Sequence, residues 1–192
     1  MTEHRRFNIH TLDELRQEIA RLGADIPLDR DVSILNTPLE IAGHRLPNRL
    51  TVQPMEGFDA DPQGTPGELS FRRYRRYAAG GAALIWFEAT AVVSEGRSNP
   101  GQFWLHDANV EVFKRLVDAT REAARDAFGW EPMLIIQLTH SGRYSKPAGV
   151  PQPLIAHHSP MLDPRHGLDQ NSPLVTDEYL DQLQAQFAET AK

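Results

Sequence analysis

Three apolar runs recur in order along this chain: Leu50-Thr-Val-Gln-Pro-Met55, Leu84-Ile-Trp-Phe-Glu-Ala-Thr90 and Ile135-Ile-Gln-Leu-Thr-His-Ser-Gly-Arg143. Each breaks off abruptly in polar or turn-forming residues. A short apolar run with little alternation is the pattern of a strand buried on both faces, as in a parallel sheet. Helical periodicity separates the runs, and strands alternating with helices dictate right-handed βαβ crossovers. In such folds the chemistry sits at the carboxyl ends of the strands.

The spacing predicts strands over 50–54, 82–88 and 132–138, with helices over about 67–79, 108–128 and 177 onward. In the first of these helices Phe71, Tyr74 and Ala78 fall on one face, and the arginines of Arg72-Arg-Tyr-Arg-Arg76 form a solvated one. Glu68 is spaced to pair with Arg72, and Gly80-Gly81 reads as the C-cap. The second helix has Asp107 as its cap and an inward stripe of Val110, Phe113, Leu116 or Val117, Thr120, Ala124 and Ala127. Gly129 ends it before Pro132. The third starts at Thr176 and turns Leu180, Leu183 and Phe187 inward. Ahead of this pattern, Thr11 with Glu14 makes a capping box for a helix over 11–22, closed by Gly23. Pro38 to Leu46 reads as a small hairpin around Gly43. The segments 55–66 and 141–175, rich in Pro, Gly and Asp, are long connections of the kind that carry function.

Composition excludes several classes. A net charge of -6 with dispersed Lys and Arg leaves no footprint for nucleic acid or an anionic membrane. No apolar run approaches the ~18–20 residues of a membrane-spanning helix, and residues 1–7 lead into no signal-type stretch. A cytoplasmic location is therefore expected. The absence of cysteine rules out disulfides, a thiol nucleophile and thiolate metal sites. No Gly-x-Gly-x-x-Gly or Walker-type loop follows a strand.

The strand ends supply the candidates. Pro54-Met55 forces irregular backbone that a flat ligand can approach, although a proline that merely ends a strand is ordinary. Gln137 is a buried amide by pattern and needs both a donor and an acceptor partner; a flavin imide edge, a nucleobase edge or satisfied core groups all suit it. Glu88 is either a general base with a raised pKa or the partner of a buried arginine, Arg143 or Arg97, and the second reading is favoured. His140 and the His157-His158 pair raise metal binding, but adjacent histidines on extended chain face opposite ways and no third ligand stands at suitable spacing, so no metal is expected.

Taken together, Pro38-Leu-Glu-Ile41 with Leu46-Pro-Asn-Arg-Leu50, Gln53-Pro-Met55, Tyr74 to Ala82, Glu88-Ala-Thr-Ala-Val92 with Glu95-Gly-Arg97, and Gln137 to Arg143 resemble the old yellow enzyme family of FMN-dependent NADH:flavin oxidoreductases. The resemblance covers roughly residues 34 to 192. It implies the N-terminal part of a (β/α)8 TIM barrel, an α/β fold of about three βα units here. Residues 1–33 then form an N-terminal extension with one helix, and 34–192 a partial FMN-binding barrel domain. By resemblance Pro54 and Met55 offer backbone to the flavin, Glu56 follows them beside it, Ala89 approaches through its backbone, and Gln137 bonds the pyrimidine edge. NAD(P)H is the implied reductant and an electron-poor alkene or enone-like small molecule the acceptor. A homo-oligomer is compatible with this reading.

Three departures from the family pattern matter, the first being Gln53, which replaces a typically small residue. Glu56 stands where a small, hydroxyl or thiol residue is usual, and a carboxylate there opposes the charge that builds on flavin reduction unless it is protonated or turned away. The family's substrate-binding histidine pair, its arginine near the flavin N1, its phosphate loops and its proton-donating tyrosine all fall on later strands. A barrel of this type takes ~250 residues. The expectation is thus a chain without catalytic residues of its own and not competent alone. The alternatives are a lyase on the same barrel with another cofactor and a non-catalytic half-barrel that needs a partner.

Overall fold

The computed structural model describes residues 8–192; the opening segment read for a signal peptide, residues 1–7, lies outside them. The chain divides into two compact units, Met1–Leu35 and Asn36–Lys192.

In the first unit, helix α1 spans Leu12–Leu22. It opens on the expected capping box: Thr11 Oγ1 accepts the Glu14 N–H at 3.2 Å, and Glu14 Oε2 accepts the Thr11 N–H at 3.3 Å. Two donors that a helix start leaves orphaned are thereby satisfied. Gly23, at φ 61, ends the helix in the left-handed region.

The second unit begins with an antiparallel hairpin, β1 Leu39–Ile41 and β2 His44–Leu46. Its two turn residues have φ 48 at Ala42 and 78 at Gly43, the positive pair that a type I′ turn requires. Leu46 is buried against Ala83 and Leu84. Since Leu84 starts the next long strand, the hairpin covers the amino-terminal end of the sheet and leaves the opposite end free.

That sheet is parallel, in the order β3 Thr51–Val52, β4 Leu84–Ala91, β5 Met133–Thr139. The first strand is shorter than the expected 50–54. Pro54 has no N–H for the ladder, and the Met55 N–H turns back to Gln53 O at 2.9 Å, a three-residue turn that ends pairing. The crossover helices are α2 Glu68–Ala79 and α3 Val110–Phe128, and α4 Asp177–Thr190 follows β5.

Most of the helix readings hold. Ser70, Tyr74 and Ala78 are the buried face of α2, Gly80 donates to Arg76 O, and the left-handed residue after it is Gly81 at φ 85. In α3 the buried residues are Phe113, Leu116, Ala119, Thr120 and Ala124. Val110 and Ala127, at the two ends of the helix, are exposed. The cap position is Asn109, not Asp107. Asn109 is buried and spends its side chain on the His106 N–H and Trp104 O at 3.0 and 2.8 Å. Thr176 caps α4 by accepting the Tyr179 N–H at 3.2 Å, but no residue of that helix is buried and Leu180 is exposed. The expected inward stripe of Leu180, Leu183 and Phe187 therefore has no deep seat among the described residues.

The main core lies between β4 and helices α2 and α3, where Tyr74, Ala78, Ile85, Phe87, Phe103, Phe113 and Leu116 pack together. Full burial of such side chains contributes roughly 1.5–3 kcal/mol each. Among the described residues, no helix is long and apolar enough to cross a membrane.

Candidate functional site

The strand β4 carries a bulge at Glu88: Phe87 pairs with Ile136 and Ala89 with Gln137, so one extra residue sits between them. Two consecutive side chains therefore address the same helix. The Phe87 ring stacks on Tyr74 at 4.3 Å, and the Tyr74 hydroxyl accepts the Glu88 N–H at 2.8 Å while donating to the Glu88 carboxylate at 3.1 Å.

Glu88 is fully buried. Its carboxylate also accepts the Gly57 N–H at 2.7 Å and Arg73 Nη2 at 2.5 Å, and Arg73 reaches on to Asp59. Burial pushes the Glu88 carboxyl up, with the Gly57 amide and Arg73 pulling against it. Desolvation also opposes ionisation of Asp59, but hydrogen bonds from Arg73 and Ser70 and the Arg73 charge hold it below its ordinary value. The structural reading of Glu88 thus holds with a different arginine. Arg143 bonds Asp163 and the His157 carbonyl, while Arg97 is spent on the carbonyls of Ser94, Pro62 and Pro100. Arg73, expected on a solvated face, is the partner. It flanks the buried Ser70–Tyr74 ridge of α2, near enough to turn in when a carboxylate waits there.

Around the strand ends the groups separate into bonded and free. The carbonyls of Pro54 and Met55 accept no hydrogen bond among the described residues, and Met55 is 68% exposed. Gln137 is exposed and its amide makes no hydrogen bond among the described residues. This corrects its reading as a buried amide: β5 has a neighbouring strand on one side only, and its residues are half-buried or exposed along their whole length. The buried amide is instead Gln102, which bonds Ala89 O at 3.0 Å, the Ser98 N–H at 2.5 Å and Glu56 at 3.4 Å. Ser98 Oγ and Asn99 Nδ2 donate to the other Glu56 oxygen at 2.8 and 3.0 Å. Glu56 is therefore turned into a collar of donors.

Beyond β5, His140 Nδ1 accepts the Gly142 N–H at 3.0 Å, which leaves the ring proton on Nε2, 2.9 Å from Tyr179 Oη. Tyr179 donates on to Glu95 at 3.4 Å. Burial lowers the His140 pKa, the Glu95 charge acting the other way. His158 bonds Asp163 at 3.1 Å. Neither histidine has a set of metal ligands about it, and among the described residues no cluster of three His, Cys, Asp or Glu side chains is placed to hold a metal ion.

Residues 34–192 match the model of the NADH:flavin oxidoreductase / NADH oxidase family. The chain belongs to that family. It is 35% identical over 100 residues to the NADPH dehydrogenase of Listeria monocytogenes serotype 4a (strain HCC23), a match that takes in 51% of this chain and 28% of that protein. It is 34% identical over 85 residues to the bilirubin reductase of Mediterraneibacter gnavus (strain CC55_001C), covering 44% of this chain and 13% of that one. Among solved structures it is similar to Old Yellow Enzyme from Pichia sp. AKU4542, with a TM-score of 0.65 and 20% identity over 83% of this chain and 42% of that one. The old yellow enzyme homologue from Zymomonas mobilis gives 0.63 and 22%, over 82% and 44%. These structures show the fold, a portion of a TIM barrel whose parallel sheet is not closed here. The chain spans less than half the length of each of these relatives.

Within this member of the NADH:flavin oxidoreductase family, the sequence-derived residues Ala89 and Gln137 are brought into direct register, and Glu56 joins Ala89 through Gln102. Gln102, Ser98 and Asn99 were not foreseen. They lie in an aperiodic loop, and the one hint in sequence is the glutamine set between Gly101 and the buried Phe103.

Proposed function

We propose that this chain forms the cofactor face of an FMN-dependent NAD(P)H oxidoreductase of ene-reductase type, acting in the cytoplasm on an electron-poor alkene or enone-like small molecule. FMN, when bound, supplies the hydride chemistry between NAD(P)H and the acceptor. The single observation that carries this reading is Gln137: an exposed amide with no hydrogen bond among the described residues, opposite Ala89 in the β4–β5 ladder.

The residues fit the cofactor. Gln137 has a donor and an acceptor to spare for the pyrimidine edge. The free carbonyls of Pro54 and Met55 are available to donors of a flat ring, and Ala89 approaches the ring through its backbone, its carbonyl being held by Gln102. Glu56 is committed to Ser98, Asn99 and Gln102, so its role is to anchor the loop after β3.

Neither Glu88 nor Tyr179 is set up as a proton donor: Glu88 is enclosed by its three partners, and Tyr179 is engaged by His140 and Glu95. The isolated chain is accordingly expected to bind FMN weakly and not to turn over. Edge strand β5, with Ile136 and the neighbouring Trp86 exposed, leaves the sheet unpaired on that side. Titration of the purified chain with FMN, followed by flavin fluorescence and NADPH oxidation, tests this. Weak saturable quenching without oxidation is expected; a lack of any flavin binding overturns the cofactor reading, and NADPH turnover overturns the claim of incompetence.

A further inference from the structure

Gln102 is fully buried, and both protons of its carboxamide are committed: Nε2 donates to Ala89 O at 3.0 Å and to Glu56 Oε1 at 3.4 Å, while Oε1 accepts the Ser98 N–H at 2.5 Å. The amide has one workable orientation. Flipped, it would set its oxygen against a carbonyl and a carboxylate and its protons against an N–H. The three partners belong to three segments, namely the loop leaving β3, the end of β4 and the loop beyond it.

The surrounding bonds reinforce this junction. Ser98 and Asn99 close on Glu56, Asn99 Oδ1 takes the Gly101 N–H at 2.8 Å, and Gly101 O takes the Ala60 N–H at 3.0 Å. A Cβ at Gly101 would lie 2.5 Å from Phe58 O, so the two loops approach as closely as backbone permits. Glu88 and Arg73 bind the same 55–66 loop from the other side, through Gly57 and Asp59.

We infer that Gln102 is a positioning residue that couples the two strand ends, fixing the Pro54–Glu56 segment relative to Ala89 and thereby presetting the spacing of the cofactor cradle. The coupling follows from the hydrogen bonds alone; its consequence for FMN rests on the proposed function. Leucine at this position fills a similar volume but leaves Ala89 O, the Ser98 N–H and a Glu56 oxygen without partners. Glutamate places a second carboxylate against Glu56 and Ala89 O with no proton to share.

The test uses the full chain with three variants, Gln102→Leu, Gln102→Glu and the double variant Gln102→Glu/Glu56→Gln, which exchanges amide and acid across the same contact. FMN affinity is read by fluorescence titration and backbone coupling by amide hydrogen exchange at Ser98 and Gly57, with circular dichroism as the check on folding. The inference expects affinity to fall about tenfold in Gln102→Leu, further in Gln102→Glu, and to recover only in part in the double variant, which restores the contact between positions 56 and 102 but leaves Ala89 O facing a carboxylate. Unchanged affinity in Gln102→Leu overturns it, as does a double variant with no recovery, where the contact to Glu56 carries nothing, or with full recovery, where the bond to Ala89 O carries nothing. Should the wild-type chain take up no FMN, the cofactor reading fails and exchange decides this inference separately. Protection lost together at Ser98 and Gly57 in Gln102→Leu supports the coupling; loss confined to Ser98 overturns it. If Gln102→Leu does not fold, the same two readouts on the glutamate pair decide.

Discussion

The carboxylate of Glu88 accepts the Gly57 N–H at 2.7 Å. This bond ties the end of β4 to the loop leaving β3, and Arg73 locks it by joining Glu88 to Asp59 in the same loop. Removing one partner of such a buried ion pair leaves the other charge poorly compensated. Glu88→Ala is expected to cost about 3–5 kcal/mol of stability, and Glu88→Gln less, because an amide oxygen still accepts the Gly57 N–H. Urea unfolding of the three proteins checks the order. Gly57→Ala probes the same junction, since its Cβ would fall on the Arg73 guanidinium; overpacking of this kind costs about 1–3 kcal/mol.

The hairpin turn contains a correctable strain. Ala42 sits at φ 48, a left-handed conformation that costs an ordinary L-residue roughly 1–2 kcal/mol. Asparagine tolerates that region and Asn-Gly is the preferred type I′ pair. Ala42→Asn is therefore expected to stabilise the chain by about 0.5–1 kcal/mol, read as a higher urea midpoint with an unchanged slope. No gain would mean that the turn relaxes in solution.

His140 makes stability depend on pH. Burial holds its folded pKa below its ordinary value, which is ~6.5 for the unfolded chain. Below that pH the unfolded chain binds the extra proton more readily than the folded one. The neutral ring's contribution is thus fully present above about pH 6.5 and is lost as pH falls toward the folded pKa. Protonation also removes the acceptor of the Gly142 N–H. Tyr179, whose phenol is pushed up to about 12 by burial and then by the Glu95 charge, stays neutral throughout. Thermal melts between pH 8 and pH 5 are expected to fall more steeply for the wild type than for His140→Asn, which keeps an acceptor near Gly142 but does not titrate. Equal slopes would remove His140 as the source of the pH dependence.

What the sequence makes legible here is what repeats with a fixed period. The alternation of β3, α2, β4, α3 and β5 follows from apolar runs and helical stripes, and the Thr11–Glu14 capping box from a four-residue pattern. Arg73 was not legible, because Arg72, Arg73, Arg75 and Arg76 look alike on a helical wheel; only the position of Glu88, set by a bulge, selects the one that turns in. Gln102 was hidden for a related reason. A loop has no period, and its three partners come from three segments distant in sequence. Gln137 is the reverse case: an apolar neighbourhood in sequence points to burial, while its strand has a neighbour on one side only and stays half-buried or exposed along its length.

Gln137 and Gln102 offer opposite expectations from one residue type. Gln137 is exposed and its amide makes no hydrogen bond among the described residues, so Gln137→Ala should change stability by no more than about 0.5 kcal/mol. If its amide is held for a cofactor, the same change removes a donor and an acceptor from the bound state and weakens FMN binding roughly tenfold, the equivalent of about 1.4 kcal/mol. Gln102→Leu should instead lower both stability and affinity, because three protein groups lose their partner. Urea unfolding and FMN titration on the two variants separate the cases. A Gln137→Ala chain that binds FMN as the wild type does would remove Gln137 from the cofactor face, and with it the observation on which the proposed function chiefly rests.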